Sequence, residues 1–397
     1  MKKIAFVVSH YPSKAEPTRG AFVKEIVHSF SRLDIHCMVV QPVPWPRSRD
    51  RAKFPFHTIE SSENNGCVEI VRPSCLPVPM IQSGAMLGVF NPNKLKFRSF
   101  VSSVETALKQ MAFCPDAIYG HFLYFGGGAA INIGRQRNIA SFIGVGEGEF
   151  WSVIPLGRAY ARKHLQNASG ILPNASHLLR KLAMELQIDA AKMEAFPNGV
   201  NLTQFHPLDR QEARRLLGLP RDLFIVGGVG NFLYKKGLVR VGQAIDGVEG
   251  VIGIFAGSGP EPPIGKNVFW AKPLPHDQLP IMLSACDVFV LPTLIEGCCN
   301  ALIEAMACGL PIISSDSEYT EDLLTDDCAI RIDPLNVEAI RDSIITLRDD
   351  PERRQRMAEA ALDQASKFDI NVRAKKILEF MRIKSDKQFS KPNTGGL

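Results

Sequence analysis

Between Asp287 and Ser314 the chain passes from an apolar run, Asp287-Val-Phe-Val-Leu-Pro-Thr293, through a short polar loop into a helix. It leaves that helix at Gly309 for a second apolar run, Pro311–Ser314. A strand, a helix and a strand in this order make the repeating unit of a parallel sheet, which needs helices over both faces. Few other architectures accept such a segment. Glu296 and Glu304 sit on it with seven residues between them, the first read in the loop and the second in the first helical turn. The leading N–H groups of a helix have no intrahelical acceptor, and the macrodipole adds partial positive charge there. A phosphate is stabilised at such a junction, and carboxylates beside it suit sugar hydroxyls. The segment reads as a seat for a nucleotide-linked sugar.

The same alternation runs through the rest of the chain. In the first half the expected strands are Lys3–Ser9, His36–Gln41, Ala117–Tyr119, Ile139–Val145 and Gly170–Pro173. Helices are expected over Ala21–Leu33, Phe97–Ala112 and Gly157–Gln166, and a Gly126-Gly-Gly128 turn before a helix through Ile133. Phe22, Ile26, Val27 and Phe30 share one helical face. Pro42-Val-Pro-Trp-Pro46 should end regular structure. In the second half the strands are Phe224–Val229, Val251–Ala256, Asn267–Trp270, Val288–Leu291 and Pro311–Ser314, followed by helices Val337–Leu347, Pro351–Lys367 and Ile370–Ile383. The turn signal Pro197-Asn198-Gly199 marks the linker. The expectation is an α/β protein of two Rossmann-like domains, 1–196 and 197–368, the second carrying the nucleotide-sugar seat. A helix over 369–384 crosses back to the first domain, and 385–397 is a flexible tail.

Composition excludes several alternatives. No apolar run approaches the length of a membrane span, and the opening Met1–His10 is too short and lacks a cleavage site for a secretory signal. The nine cysteines form no C-x-x-C pair, which fits reduced thiols and a cytoplasmic location. No His/Cys/Asp cluster has metal-ligand spacing, so no metal is expected. Through Phe196 there are 23 Lys+Arg against 14 Asp+Glu, and beyond it 23 against 27. The basic first part suits an anionic partner, either a membrane surface or a phosphate-bearing acceptor. Cations mixed with aromatics, Trp45-Pro-Arg47-Ser-Arg49-Asp-Arg51-Ala-Lys53-Phe54 and Lys94-Leu-Lys96-Phe97-Arg98, suggest peripheral attachment to an anionic membrane surface. Nucleic acid is a poorer partner, since the second part is acidic and no recognition motif is present.

Glu296-x7-Glu304, Gly230-Asn-Phe-Leu-Tyr-Lys-Lys-Gly237, Ala256-Gly-Ser-Gly-Pro-Glu261 and Phe196-Pro-Asn-Gly-Val200 occur in an order that resembles glycosyltransferase family four. The opening Tyr11-Pro-Ser…Pro17-Thr-Arg-Gly20-Ala-Phe-Val23 is similar to the subgroup of bacterial teichuronic-acid, capsule and O-antigen transferases. The resemblance implies the GT-B fold, with 1–196 on the acceptor side and 197–368 binding the donor, facing each other across a cleft, and transfer with retention from a nucleoside-diphosphate sugar. A UDP-sugar is expected ahead of a GDP-sugar, with no cofactor and with a lipid-linked saccharide as acceptor at the inner face of the cytoplasmic membrane, where the protein would attach peripherally. It also implies residue roles. Lys236, with Lys235 beside it, meets the diphosphate, and Glu304 accepts from the ribose hydroxyls. Glu296 lies near the donor sugar. The N–H groups of Ala301 and Leu302, with Asn300 as N-cap, complete the phosphate seat. Gly20 lies against the donor phosphates and His121 faces the cleft. Gly257, after a strand, lets backbone approach a ligand, although Gly257-Ser-Gly259 is not a dinucleotide fingerprint.

The chain departs from the family pattern in two places. Asn231 stands where many members carry arginine, and Gly144-Val-Gly-Glu147-Gly-Glu149-Phe-Trp151 replaces a histidine–glycine pair. Glu147 is therefore the candidate for contacting a sugar hydroxyl or orienting the acceptor. Two rivals stay open on sequence alone: a nucleotide-sugar epimerase of the same fold, and an inactive nucleotide-sugar-binding partner.

Overall fold

The computed structural model describes residues 1–16, 19–62, 66–77, 92–148, 150 and 158–389. Pro17, Thr18, Glu149, Trp151 and the expected helix start at Gly157 lie outside these residues. The chain divides into two compact units, one running to Phe196 and resuming at Asn371, the other Pro197–Ile370. With the sequence from Asn371 onward added, the first unit carries 30 Lys+Arg against 16 Asp+Glu and the second 16 against 25. The charge asymmetry thus follows the units and is steeper than the halves of the sequence suggest.

The first unit is built on a seven-stranded sheet ordered His57–Ser61, Cys67–Val71, His36–Val40, Lys3–Val7, Ala117–His121, Ala140–Val145, Gly170–Pro173. Side chains alternate across Lys3–Val7, as a pleated strand requires. Ile4 and Phe6 point into a core with Val23, Ile26, Val27 and Phe30 of helix Ala21–Ser31 and Ala374, Ile377, Leu378 and Met381 of the last helix. Ala5 and Val7 point the other way, toward Phe100, Val104 and Leu108 of helix Pro92–Gln110 and Ala129, Ala130 and Ile133 of helix Gly128–Arg137. The last helix, Ile370–Phe389, runs past the expected end at Ile383. Residues 385–389 are helical where a flexible tail was expected, and the remaining 390–397 lie outside the described residues.

Three local expectations fail. The sheet is not wholly parallel: His57–Ser61 pairs antiparallel with Cys67–Val71. Ile59 is the one apolar residue in 57–61 and it faces solvent, and none of the five is fully buried, as suits an edge strand, so the apolar run that marks a central strand is missing. The proline-rich stretch keeps a two-residue pairing, Val43–Pro44 with Ser74–Cys75. Gly126-Gly-Gly128 is not a turn. Gly126 and Gly127 close a π-helical turn, Phe122–Gly127, and Gly128 opens helix Gly128–Arg137 directly after it. There is room only for glycine at 126, where a Cβ would strike the carbonyl of Val7 at 2.6 Å.

The second unit has a six-stranded, all-parallel sheet ordered Val268–Lys272, Val251–Ala256, Phe224–Val229, Val288–Leu291, Ile312–Ser315, Ala329–Ile332. Numbered within the unit this is 3-2-1-4-5-6, with the order reversing between Phe224–Val229 and Val288–Leu291. Ligands of open α/β sheets bind beyond the carboxyl ends of strands at such a reversal. The two strands are also clamped at their amino ends. Buried Asp287 accepts from Ile225 N at 2.7 Å, Arg214 at 2.7 Å and Arg210 at 3.1 Å. Paired in this way, the carboxylate avoids the penalty of an isolated buried charge.

Candidate active site

At the reversal in the second unit, the loop after Phe224–Val229 meets the loop after Val288–Leu291. Lys236 ends a short 3-10 turn, Tyr234–Lys236, and Gly237 follows in the left-handed region at φ 77°. No side chain fits there, because a Cβ would strike the Pro292 carbonyl. The carbonyl of Lys235 accepts from Leu294 N at 2.7 Å and Thr293 Oγ1 at 3.0 Å, while its side chain stays exposed. Arg240 ties both loops together, donating to Tyr234 O at 3.0 Å and Pro292 O at 2.8 Å. These bonds bring the Lys236 ammonium onto the Glu296 carboxylate as a mostly buried ion pair. Burial works against the ammonium, but the Glu296 carboxylate, through its charge and its hydrogen bond, outweighs it and raises the Lys236 pKa. The lysine is therefore a fixed cation.

Helix Asn300–Ala307 begins beside this pair. Its cap differs from expectation: Cys299 holds the N-cap position without a side-chain bond, and Asn300 is the first helical residue. The Asn300 amide oxygen accepts from Asn198 Nδ2 at 2.6 Å, which also donates to Cys298 O at 3.1 Å. Occupied in this way, Asn300 braces the loop rather than capping the helix. The first N–H groups, Ala301 and Leu302 included, still lack intrahelical acceptors. Glu304 sits in the second turn, not the first, and its Oε1 lies 3.0 Å from His276 Nε2. Nothing in the motif pattern announces His276, which precedes the next helix by sequence and reaches Glu304 only through the fold. Gly257 has a reason in the packing besides the one expected. A Cβ there would collide with the Gly230 carbonyl, so the glycine is required for packing of the two loops whatever ligand it meets.

In the first unit, the carboxyl ends of the strands line a cavity of about 460 Å³. Pro42, Val43, Phe54, Phe100, Tyr124 and Phe125 form much of its wall, and Arg19, Arg47 and Lys96 bring positive charge. Glu16 accepts from Arg19 at 2.9 Å and Arg47 at 3.0 Å. Lys96 makes no ion pair with a described residue, and its ammonium sits 5.4 Å from the Phe125 ring centroid. Gly20 adopts φ 81° before helix Ala21–Ser31, packed against the His10 carbonyl. Glu147 lines the cavity and accepts from Leu123 N at 2.7 Å and Gly146 N at 3.2 Å, holding the π-helical turn against the loop after Ala140–Val145.

His121 is the last residue of strand Ala117–His121, not a loop residue beyond it. Its ring lies 5.3 Å from Phe22 and 4.4 Å from Phe122, and its buried Nδ1 has no partner among the described residues. Burial, reinforced by the positive charge of Arg373, lowers its pKa from 6.5 to about 3. From about pH 6.5 down to about 3 the unfolded chain binds a proton here that the folded chain refuses, so stability is full above that window and falls with pH. A His121→Phe variant should therefore lose less stability on acidification, by about 2 kcal/mol between pH 7.5 and pH 5. Denaturant melts at the two pH values check this. Parallel losses in both proteins would exclude His121 as the source.

Residues 209–364 match the family model for Glycosyl transferases group 1. The chain is 26% identical over 365 residues to the protein named as the teichuronic acid biosynthesis glycosyltransferase TuaC of Bacillus subtilis (strain 168), a match that covers 86% of this chain and 88% of that one. The chain is a glycosyltransferase of the GT-B fold. Solved structures agree on that fold. The sucrose-phosphate synthase of Thermosynechococcus elongatus superposes with a TM-score of 0.76 at 18% identity, covering 96% of this chain and 99% of that one. HepE of Anabaena in complex with UDP-glucose gives 0.70 at 15%, covering 96% and 100%. A D-inositol 3-phosphate glycosyltransferase of Mycobacterium tuberculosis (strain F11) is 27% identical over 176 residues, spanning 41% of this chain and 37% of its own length. In this glycosyltransferase the matched residues contain the loop-and-helix site around Lys236, Glu296 and Glu304. Among the described residues no helix is long and apolar enough to cross a membrane, and no group of His, Cys, Asp and Glu could hold a metal ion.

Proposed function

We propose that this glycosyltransferase transfers a sugar from a UDP-sugar to a lipid-linked saccharide in cell-surface polysaccharide synthesis, with retention at the anomeric carbon and without a metal. One observation carries the reading: the Lys236–Glu296 pair stands at the strand-order reversal, beside the start of the helix that bears Glu304. Lys236 and the N–H groups of Ala301 and Leu302 would hold the diphosphate, stabilising charge as it builds on the departing nucleotide. Glu304 would take the ribose hydroxyls and Glu296 a donor-sugar hydroxyl. The acceptor hydroxyl adds to the anomeric carbon as the carbon–phosphate-oxygen bond breaks, and the leaving phosphate oxygen takes the hydroxyl proton. No protein nucleophile is needed, and the chain contributes positioning and charge. TuaC is named for teichuronic acid biosynthesis and HepE was solved with UDP-glucose, which supports both donor and pathway class.

The acceptor belongs, in this reading, to the cavity of the first unit. Its aromatic walls suit an apolar or sugar face, and Arg47 and Lys96 suit a phosphate. The test is a panel of UDP-, GDP- and ADP-sugars scored by the thermal unfolding midpoint, followed by transfer of labelled sugar to membrane lipid extract with and without chelator. UDP-sugars should raise the midpoint and label should move with chelator present. Stabilisation by none of the panel would sink the proposal.

Membrane attachment rests on fewer residues than the sequence suggests. Arg47 turns back onto Phe54 and Glu16, and Arg51 donates to Arg72 O at 3.2 Å. Trp45, half exposed with the Arg49 guanidinium 5.9 Å from its ring centroid, keeps the right character for an anionic lipid surface. Trp45→Ser with Arg49→Ser should reduce sedimentation with phosphatidylglycerol vesicles several-fold and leave UDP binding unchanged. Unaltered sedimentation would discard the attachment.

A further inference from the structure

We infer that His276 is a positioning residue that sets the enzyme's preference for ribonucleotide over deoxyribonucleotide donors. The inference rests on the reading that Glu304 binds the ribose. Among the described residues, His276 supplies the one hydrogen bond to the Glu304 carboxylate, from Nε2 to Oε1 at 3.0 Å. A carboxylate can only accept, so Nε2 carries its proton and the imidazole is held in a single tautomer. Oε2 accepts nothing from the described residues and is not sealed from solvent. One oxygen is anchored and the other is left open to a ligand.

The anchor is itself held. The His276 ring packs against Phe205, with centroids 5.2 Å apart, and Phe205 is buried. His276 opens a short 3-10 turn, His276–Gln278, that leads into helix Leu279–Ser284, and it keeps about a third of its side-chain surface exposed. Glu304 is on a different element, helix Asn300–Ala307. A glutamate reaching from a helix on its own samples several rotamers, and only some aim a carboxylate edge at a pair of vicinal hydroxyls. Holding Oε1 from a second element selects one orientation in advance, which reduces the ordering a ligand must impose. The benefit falls specifically on groups that donate to Oε2, the ribose hydroxyls in this reading. Phosphate and base contacts are untouched by it. His276 therefore acts on discrimination more than on affinity at large.

The experiment is a set of binding isotherms with UDP, ADP and GDP, each against its 2′-deoxy counterpart, on the full chain and on His276→Ala and His276→Gln. The base that binds the unmodified protein is carried forward. A hydrogen bond to a charged group changes affinity by about tenfold or more, so the ribo form should bind the unmodified protein about tenfold more tightly than the deoxy form. His276→Ala should reduce that ratio to about threefold or less, while His276→Gln, which retains a donor near the Nε2 position, should keep most of it. A merely structural loss would weaken both ligands alike and leave the ratio where it was. An unchanged ratio in His276→Ala, or a Gln variant as indiscriminate as Ala, overturns the positioning role and leaves Glu304 in place. If the unmodified protein binds ribo and deoxy forms equally, the ribose role of Glu304 fails, and the inference fails with it.

Discussion

Lys236→Ala should lower turnover by about 10²- to 10³-fold, the range typical of removing one preorganised charge stabiliser. Affinity for UDP should fall as well, and by more than the loss of one cation implies. In the folded enzyme the ammonium neutralises Glu296, and both are mostly buried. Taking away the lysine alone leaves a carboxylate facing the incoming diphosphate with no counter-charge. Breaking a buried pair by deleting one partner is more damaging than deleting both, because the remaining charge stays desolvated. The double variant Lys236→Ala, Glu296→Gln should accordingly recover part of the UDP affinity while staying as slow as the single variant. Isothermal titration and initial rates on the three proteins decide this. Near-normal rates for Lys236→Ala would remove it from the diphosphate site.

Glu296→Gln should separate binding from chemistry in the opposite sense. With no donor bound, the lysine is already engaged, so a diphosphate must compete with Glu296 for the ammonium. An uncharged amide competes less and repels the phosphates less. UDP should bind about three- to tenfold more tightly, an effect of the size expected for altering one charge-assisted contact. Turnover should fall by about 10²-fold or more, because the amide cannot accept from the donor sugar as a carboxylate does. Tighter UDP binding with slower transfer is a signature that simple destabilisation does not produce. Weaker UDP binding in Glu296→Gln would show that the carboxylate does not oppose the diphosphate, and the competition argument would end there.

Much of the fold was readable from apolar runs. Phe224–Val229, Val251–Ala256 and Val288–Leu291 are continuous buried strands, and their bounds are those expected from the residues. What escaped notice lacked that signal. His57–Ser61 is a polar edge strand, and the edge strand Ala329–Ile332 is short and only buried at its ends. The three glycines that close the π-helical turn Phe122–Gly127 and open the next helix are there because the backbone packs closely, not because the chain reverses. Within the candidate site, Glu296 and Glu304 stood out by their spacing and context, and Lys236 only through the family resemblance. Their partners were not. His276 and the Arg240 brace are ordinary residues remote in sequence from Glu304 and Pro292, and Asn198, legible only as a turn residue within a motif, reaches Asn300 across 102 positions.

The amino-acid order alone settled the alternation of strands and helices, the α/β class and the identity of the acidic and basic residues at the key loop. These depend on local spacing and on propensities that act within a few residues. The three-dimensional arrangement decided which of those residues meet. Lys236 and Glu296 are 60 positions apart, and they form a pair because the 3-2-1-4-5-6 order sets Phe224–Val229 beside Val288–Leu291. Strand order is a non-local choice, selected by how whole apolar faces bury together, and no single segment of the chain encodes it.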